Sequence, residues 1–233
     1  MFFYDPRYLI FMAPAFLLMM LVQWYVSSAY NRWSRVPARS RMSGAQAAQR
    51  LIQTGGLYSV RVEATPGQLS DHYDPRQKIL RLSQGVYQGQ SVAALAIAAH
   101  ELGHAMQDQE GYFPLRLRAA LVPAVSIGSY LGWILIVIGL LLRFTELAWL
   151  GVAVFSGGAL FALATLPVEL NASARARRLL VDSGMISGED EQRGVNTVLN
   201  AAAMTYVAAL VTAVLQLLYW VTLLMGMGGR RRG

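Results

Sequence analysis

Residues 128–168 read GSYLGWILIVIGLLLRFTELAWLGVAVFSGGALFALATLPV, and only Arg143 and Glu146 carry a charge within them. These two charges separate two longer uncharged runs of 24 and 22 residues. A helix needs about 20 apolar residues to cross the hydrocarbon core of a bilayer. Both runs meet that length, so the stretch predicts a transmembrane hairpin over 119–166.

Two further uncharged runs occupy residues 8–31 and 194–229. The first predicts an N-terminal transmembrane anchor over 1–30, and the second a C-terminal transmembrane helix with a basic tail over 201–233. Buried helices of a soluble protein are the alternative, but too little polar sequence remains to cover four such helices. The sequence therefore predicts a mainly α membrane protein with about four transmembrane helices.

The composition excludes several classes of protein. Hydrophobic residues make up 55% of the chain, which is too much apolar side chain for a disordered protein. Charged residues make up 14%, against about 25% in soluble proteins. The absence of cysteine excludes disulfides, cysteine-ligated zinc, iron–sulfur clusters and a catalytic thiol. The net charge of +7 is the balance of 19 Arg and one Lys against 13 Asp and Glu residues. On a membrane protein this excess reports topology, so we expect a lipid bilayer and no nucleic acid as partner.

Arginine also predicts the orientation. The polar segments 31–118 and 167–200 are rich in Arg, and the positive-inside rule places both in the cytoplasm. The tail Arg230–Arg232 would lie outside after four full crossings, so the sequence leaves open whether the fourth run fully crosses. A cleaved signal peptide is the alternative for the first run, but the arginines that follow it favour a retained anchor.

Segment 31–118 predicts a small α+β module between the first two spans. Ser43 is a predicted N-cap of a helix that ends at Gly55. Alternation over 58–63 and 78–83 predicts two strands. Ser91 is the predicted N-cap of a second helix, whose apolar part is too short to cross a membrane.

That second helix contains His100-Glu101-Leu102-Gly103-His104. Residues i and i+4 share one face of a helix, so the two imidazoles can bind one metal ion. Glu101 lies beside them, where its carboxylate can reach a water on that metal. This is the arrangement of zinc proteases, in which zinc activates the water and the Glu is the general base. The motif therefore predicts a zincin-like zinc-protease module over 31–118, with Zn²⁺ as cofactor.

Zinc catalysis usually takes three protein ligands, and no His follows His104, so the third ligand is a carboxylate or His72. Glu169 is favoured because it is an acidic residue at the end of an apolar run with no compensating charge nearby. Segment 167–200 is then a cytoplasm-facing helical segment that supplies this ligand. The other carboxylates fit less well for reasons of reach, helix fraying or membrane side; they are Asp108, Glu110 and Glu146.

Four segments carry a resemblance to a known family: FFYDPRYLI at the N-terminus, LSDHYDPR from Leu69 with KILRLSQGVY after it, SVAALAIAAHELGHAMQ from Ser91, and TLPVELNASARA from Thr165. The chain resembles the YugP-like family of membrane-bound, zinc-dependent neutral metallopeptidases over nearly its whole length. The resemblance implies zinc ligation by His100 and His104 and a general base at Glu101. By analogy with HtpX-like proteases it also implies Glu169 as third ligand.

Three more residues receive predicted roles. The resemblance places Asn171 where Asp is also expected, and such a residue can orient a zinc-bound imidazole. His72 or Tyr73 can donate a hydrogen bond to the oxyanion formed in the reaction, and His72 can shuttle a proton. The alternative is that Asp71–Arg76 is a structural turn. The free edge of strand 78–83 can pair with an extended substrate.

The sequence as a whole predicts a membrane-bound zinc metalloendopeptidase that hydrolyses peptide bonds of membrane or misfolded proteins. The resemblance implies a multi-pass protein of the bacterial inner (plasma) membrane, and arginine predicts a cytoplasmic active site. The alternative is a non-catalytic zinc-binding membrane scaffold or assembly subunit, which would not need Glu101. A protein or peptide substrate is the expected partner, and an oligomer or a regulatory membrane partner stays open.

Overall fold

The computed structural model describes residues 6–228. The first five residues, which begin the N-terminal family segment, and the basic tail Arg230–Arg232 lie outside the described residues. The described chain is mainly helical. Its helices are α1 (Pro6–Trp33), α2 (Gly44–Thr54), α3 (Gln84–Tyr87), α4 (Val92–Gln109), α5 (Phe113–Leu141), α6 (Thr145–Phe155), α7 (Gly157–Asp182) and α8 (Glu189–Gly228).

Within residues 6–228, four helical segments are long and apolar enough to cross a membrane. They are Pro6–Trp33, Phe113–Leu141, Thr145–Asp182 and Glu189–Gly226. The third combines α6 and α7, which meet at Ser156. The prediction of a mainly α protein with four apolar spans is confirmed.

A three-stranded sheet lies between α2 and α3 along the chain. Its strands are β1 (Arg61–Thr65), β2 (His72–Asp74) and β3 (Ile79–Ser83), in the order β1-β3-β2. Strand β3 pairs with β1 in parallel and with β2 in antiparallel orientation. Strand 78–83 was therefore correctly predicted, but its predicted free edge is wrong, because both of its edges are paired.

Two other details of this region differ from the predictions. The first strand begins at Arg61, three residues after the predicted start at residue 58, and it ends at Thr65. Residues 72–74 of the predicted turn Asp71–Arg76 form a strand, and the turn lies at residues 75–78, between β2 and β3. This strand has only three residues, and it forms because the edge of β3 supplies its hydrogen-bonding partner.

The chain divides into two compact units. One unit comprises residues 1–22, 117–166 and 205–233. In it, the α5–α6 hairpin packs through small residues: a Cβ on Gly139 would lie 2.5 Å from the Ala148 backbone nitrogen, and one on Gly151 2.6 Å from that of Ile136. Such close backbone approach is typical of helix pairs in membranes.

The other unit comprises residues 23–116 and 167–204. Helix α4 lies at the centre of its apolar core, which explains why its apolar residues are not confined to one face. The predicted N-cap Ser91 is confirmed, since its Oγ accepts a hydrogen bond from Ala94 N–H at 3.2 Å. Ser43 is confirmed as well, in a capping box with Gln46. Fully buried core side chains include Leu51, Leu80, Leu82, Leu95, Leu102, Leu180 and Leu199.

Helices α7 and α8 are longer than the sequence suggests. Pro167 lies inside α7 and does not begin a new helix. Helix α8 is continuous from Glu189 past residue 201, where the C-terminal transmembrane segment was predicted to start. The second half of α7 and the first half of α8 contribute Ala176, Leu180, Val195 and Leu199 to the core around α4.

Truncation of Leu95 tests the position of α4 in this core. Leu95 is fully buried, so Leu95→Ala should lower the free energy of unfolding by about 2–5 kcal/mol. Gln109→Ala, at an exposed position of the same helix, should change it by less than about 0.5 kcal/mol. Denaturant titration of the full chain in detergent measures both, and equal losses would contradict a central α4.

Candidate metal centre

Helix α4 presents His100 and His104 one turn apart on one face. Their ring centroids lie 4.9 Å apart and the rings are almost perpendicular, at 85°. Each side chain is 13% exposed. The rings are therefore largely buried but still reach solvent.

Glu169 on α7 completes the group. Its Oε2 lies 3.3 Å from His100 Nε2 and 3.5 Å from His104 Nε2. Its side chain is only 3% exposed. The ligand atoms of all three residues lie within 4.8 Å of one another, so they form a group that could hold a metal ion.

Gly103 allows α4 and α7 to come this close. A Cβ at Gly103 would lie 2.5 Å from the backbone carbonyl oxygen of Ala172, 3.0 Å from its carbonyl carbon and 3.1 Å from its Cα. Real Cβ atoms do not approach backbone to that distance, so any larger residue would push the helices apart. Gly103 lies between the two His of the motif, and Ala172 lies one turn after Glu169.

The three side chains fit zinc. Two imidazole nitrogens and one carboxylate oxygen are a ligand set that catalytic zinc uses, with a further position left for water. Within the described part of the chain, no fourth His, Asp or Glu joins the group. Burial lowers the pKa of His104, but the nearby carboxylates of Glu169 and Glu101 outweigh it and raise that pKa. These carboxylates therefore stabilise a positive charge at that ring.

Glu101 is held by the sheet. Its Oε2 accepts a hydrogen bond from the backbone N–H of Tyr73 in β2 at 3.1 Å. The Tyr73 hydroxyl donates to Asp108 Oδ2 at 2.8 Å, and Lys78 Nζ also contacts that oxygen. The hydroxyl of Tyr73 is thus engaged with Asp108, and its role as an oxyanion donor stays a prediction.

The structure does not bring His72 into the group. His72 lies on β2 with an exposed side chain, and its Nδ1 is 2.8 Å from the carbonyl oxygen of Ser70. Its predicted roles in proton transfer and oxyanion binding stay predictions. Of the other carboxylates, Asp108 contacts Tyr73 and Lys78, and Glu110 accepts two hydrogen bonds from Arg175 at 2.5 and 2.7 Å.

Asn171 lies close to the metal-binding group, but its side-chain oxygen does not contact an imidazole. It accepts hydrogen bonds from Gln107 Nε2 at 2.9 Å and from Arg175 Nε at 2.7 Å. The residue that contacts the imidazole is Gln107, whose Oε1 lies 3.0 Å from His104 Nδ1. The predicted orienting contact is therefore made by Gln107, with Asn171 behind it.

Sequence reasoning missed two residues that contact the imidazoles. Gln107 contacts His104, and the Ser173 hydroxyl lies 3.2 Å from His100 Nδ1. Both are buried polar residues. The available signal was their spacing, because Gln107 follows His104 by three residues and Ser173 follows Glu169 by four, which puts each on its neighbour's helix face.

A family model described as "Putative neutral zinc metallopeptidase" matches residues 8–225. The chain belongs to this family. It is also 45% identical over 199 residues to "Putative membrane protease YugP" of Bacillus subtilis (strain 168). The aligned residues cover 85% of this chain and 88% of that protein. No solved structure matches the chain. The resemblance found in the sequence is confirmed, and the four apolar spans agree with a membrane protein.

Gly103→Ala tests the helix contact in this member of the neutral zinc metallopeptidase family. Overpacking of such a contact costs about 1–3 kcal/mol, so zinc affinity should fall by about tenfold. Gly157→Ala is the matched control, since a Cβ there meets no atom within 4 Å. Chelator competition on the full chain in detergent measures both affinities. Equal affinities in the two variants would show that the contact at Gly103 does not set the position of Glu169.

Proposed function

We propose that the chain is a membrane-bound zinc metalloendopeptidase in which His100, His104 and Glu169 bind zinc and Glu101 is the general base. The observation that carries the proposal is the convergence of two Nε2 atoms on Glu169 Oε2, with Glu101 next to them on α4. Membership of the neutral zinc metallopeptidase family supports both the metal and the reaction.

Zinc in such a site polarises the scissile carbonyl and lowers the pKa of a bound water. Glu101 accepts a proton from the attacking water and returns it to the leaving amine. The hydrogen bond from Tyr73 N–H to Glu101 Oε2 fixes one carboxylate oxygen. The other oxygen stays available for proton transfer, so the sheet orients the base without blocking it.

A non-catalytic zinc scaffold is the competing function. Purely structural zinc sites are usually closed by four protein ligands, whereas residues 6–228 bring three together here. A scaffold also needs no carboxylate beside the ligands, and here Glu101 is held in place by a strand. Both observations favour an enzyme.

The location follows from the four apolar spans and the arginine pattern. Segments 31–118 and 167–200 carry the Arg residues that the positive-inside rule places in the cytoplasm. Both contribute to the metal-binding group, which therefore faces the cytoplasmic side of a bacterial inner membrane. A protease at that surface meets membrane proteins and misfolded chains, which are the proposed substrates. The protease acts on them alone, as an oligomer or with a regulatory membrane partner.

Glu169→Ala tests zinc ligation. The wild type should contain about one zinc per chain, and the variant should lose most of it because two imidazoles alone bind zinc weakly. Glu146→Ala removes an exposed carboxylate outside the metal-binding group and should retain zinc. Elemental analysis of detergent-purified protein, prepared without chelator, gives the ratios. Full zinc in Glu169→Ala would move the third ligand elsewhere.

Glu101→Gln separates the enzyme from the scaffold. Loss of the general base should lower the rate of peptide hydrolysis by about 10²–10⁴-fold, while zinc content stays at the wild-type level. Glu189→Gln, at an exposed position of α8, should leave the rate unchanged. A fluorogenic peptide and an unfolded protein serve as substrates. A scaffold would respond equally to the two changes.

A further inference from the structure

Gln107 is a fully buried polar side chain behind the metal-binding group, on the same helix as the two His. Its amide makes three hydrogen bonds. Nε2 lies 2.8 Å from the carbonyl oxygen of Val168 and 2.9 Å from Asn171 Oδ1, and Oε1 lies 3.0 Å from His104 Nδ1. Every side-chain polar atom of Gln107 is therefore engaged, which is the condition for burying an amide.

The direction of each of these hydrogen bonds is determined by groups that can act in only one way. A backbone carbonyl can only accept, so the amide nitrogen of Gln107 must face Val168. A guanidinium can only donate, so the oxygen of Asn171 must face Arg175, and it then accepts from Gln107 as well. These two constraints are independent, and both direct the oxygen of Gln107 at His104.

The side chain of Arg175, which donates to Asn171, is itself held in place by Glu110. Its two terminal nitrogens donate to the two carboxylate oxygens of Glu110, at 2.5 and 2.7 Å. Paired hydrogen bonds of this kind hold a guanidinium in one plane. Its Nε is thereby directed at Asn171 Oδ1.

From this arrangement we infer that Gln107 is a positioning residue that fixes the tautomer of His104. An oxygen at Nδ1 requires a proton on Nδ1, so in the neutral ring the lone pair is on Nε2 and is available to a metal ion. That is the nitrogen that faces the metal-binding group. The amide thus prepares His104 as a ligand before any metal binds, and the inference rests on the proposed zinc site.

His100 provides an internal comparison. Its Nδ1 contacts the hydroxyl of Ser173, and a hydroxyl can either donate or accept. The contact at Nδ1 therefore imposes a tautomer on His104 but none on His100, whose Nε2 lies 3.3 Å from the acceptor Glu169 Oε2. A change at Gln107 should affect the two rings differently, although both belong to the same site.

The test is nitrogen NMR of the full chain in detergent, labelled with ¹⁵N-histidine and stripped of metal. The chain has only three His, so His→Gln variants assign the signals. In the wild type, the neutral His104 ring should show a protonated Nδ1 and an unprotonated Nε2. In Gln107→Met, which keeps the length and removes the amide, the share of this tautomer should fall, while the His100 signals should change little.

Metal affinity gives a second readout that does not depend on activity. Zinc binding, measured by chelator competition, should weaken by about 10–100-fold in Gln107→Met. The matched control Gln109→Met changes an exposed amide on the same helix and should bind zinc as the wild type does. Asn171→Ala, which removes the acceptor behind Gln107, is the second variant if Gln107→Met does not fold, and it should shift the tautomer in the same direction.

Some results would overturn the inference. A wild-type His104 with its proton on Nε2 would do so, and so would a folded Gln107→Met protein with unchanged tautomer and zinc affinity. The tautomer is measured without zinc and without substrate. Failure of the proposed function, seen as full zinc in Glu169→Ala or unchanged hydrolysis in Glu101→Gln, is therefore distinguishable from failure of this inference.

Discussion

The close contact between α4 and α7 at Gly103 is the constraint on which the metal-binding group depends. The carbonyl of Ala172 lies 2.5 Å from the position where a Cβ of Gly103 would be, so backbone packs against backbone. One turn from this contact along α7 lies Glu169, and along α4 lie the two His of the motif. A single carboxylate oxygen can reach both imidazoles only because the helices meet here with no side chain between them.

This contact also buries a charge, and the burial has an electrostatic consequence. A carboxylate as buried as Glu169 loses several kcal/mol of hydration, and a divalent cation would satisfy it together with both imidazole lone pairs. The polar groups around it are arranged to support that: Gln107 and Ser173 face the two Nδ1 atoms. A buried polar cluster is stable when each member has a partner, which explains why polar residues occur on both helices in an otherwise apolar core.

The sequence predicts the features that depend on a single helix or a single uncharged run. It predicts fewer of the contacts that depend on packing between helices and strands. The i, i+4 spacing of His100 and His104 follows from helix geometry alone, and the four spans follow from uncharged runs. Glu169 could be favoured because a charge at the end of an apolar run is costly without a partner. The spacing places Gln107 on the helix face of His104, but the amide atom that faces the ring could not be predicted, because Val168 and Asn171 determine it.

Strand β2 shows the same limit and explains how the sheet acts on the site. Its three residues form a strand only because they pair with β3, so the local sequence by itself reads as a turn. In an antiparallel pair, successive residues direct their backbone groups to opposite sides, and Tyr73 directs its N–H away from β3 to Glu101. The middle of the outer edge is therefore already bonded to the proposed base. Glu101 is carried by α4, and this hydrogen bond from β2 orients the carboxylate that we propose as the general base.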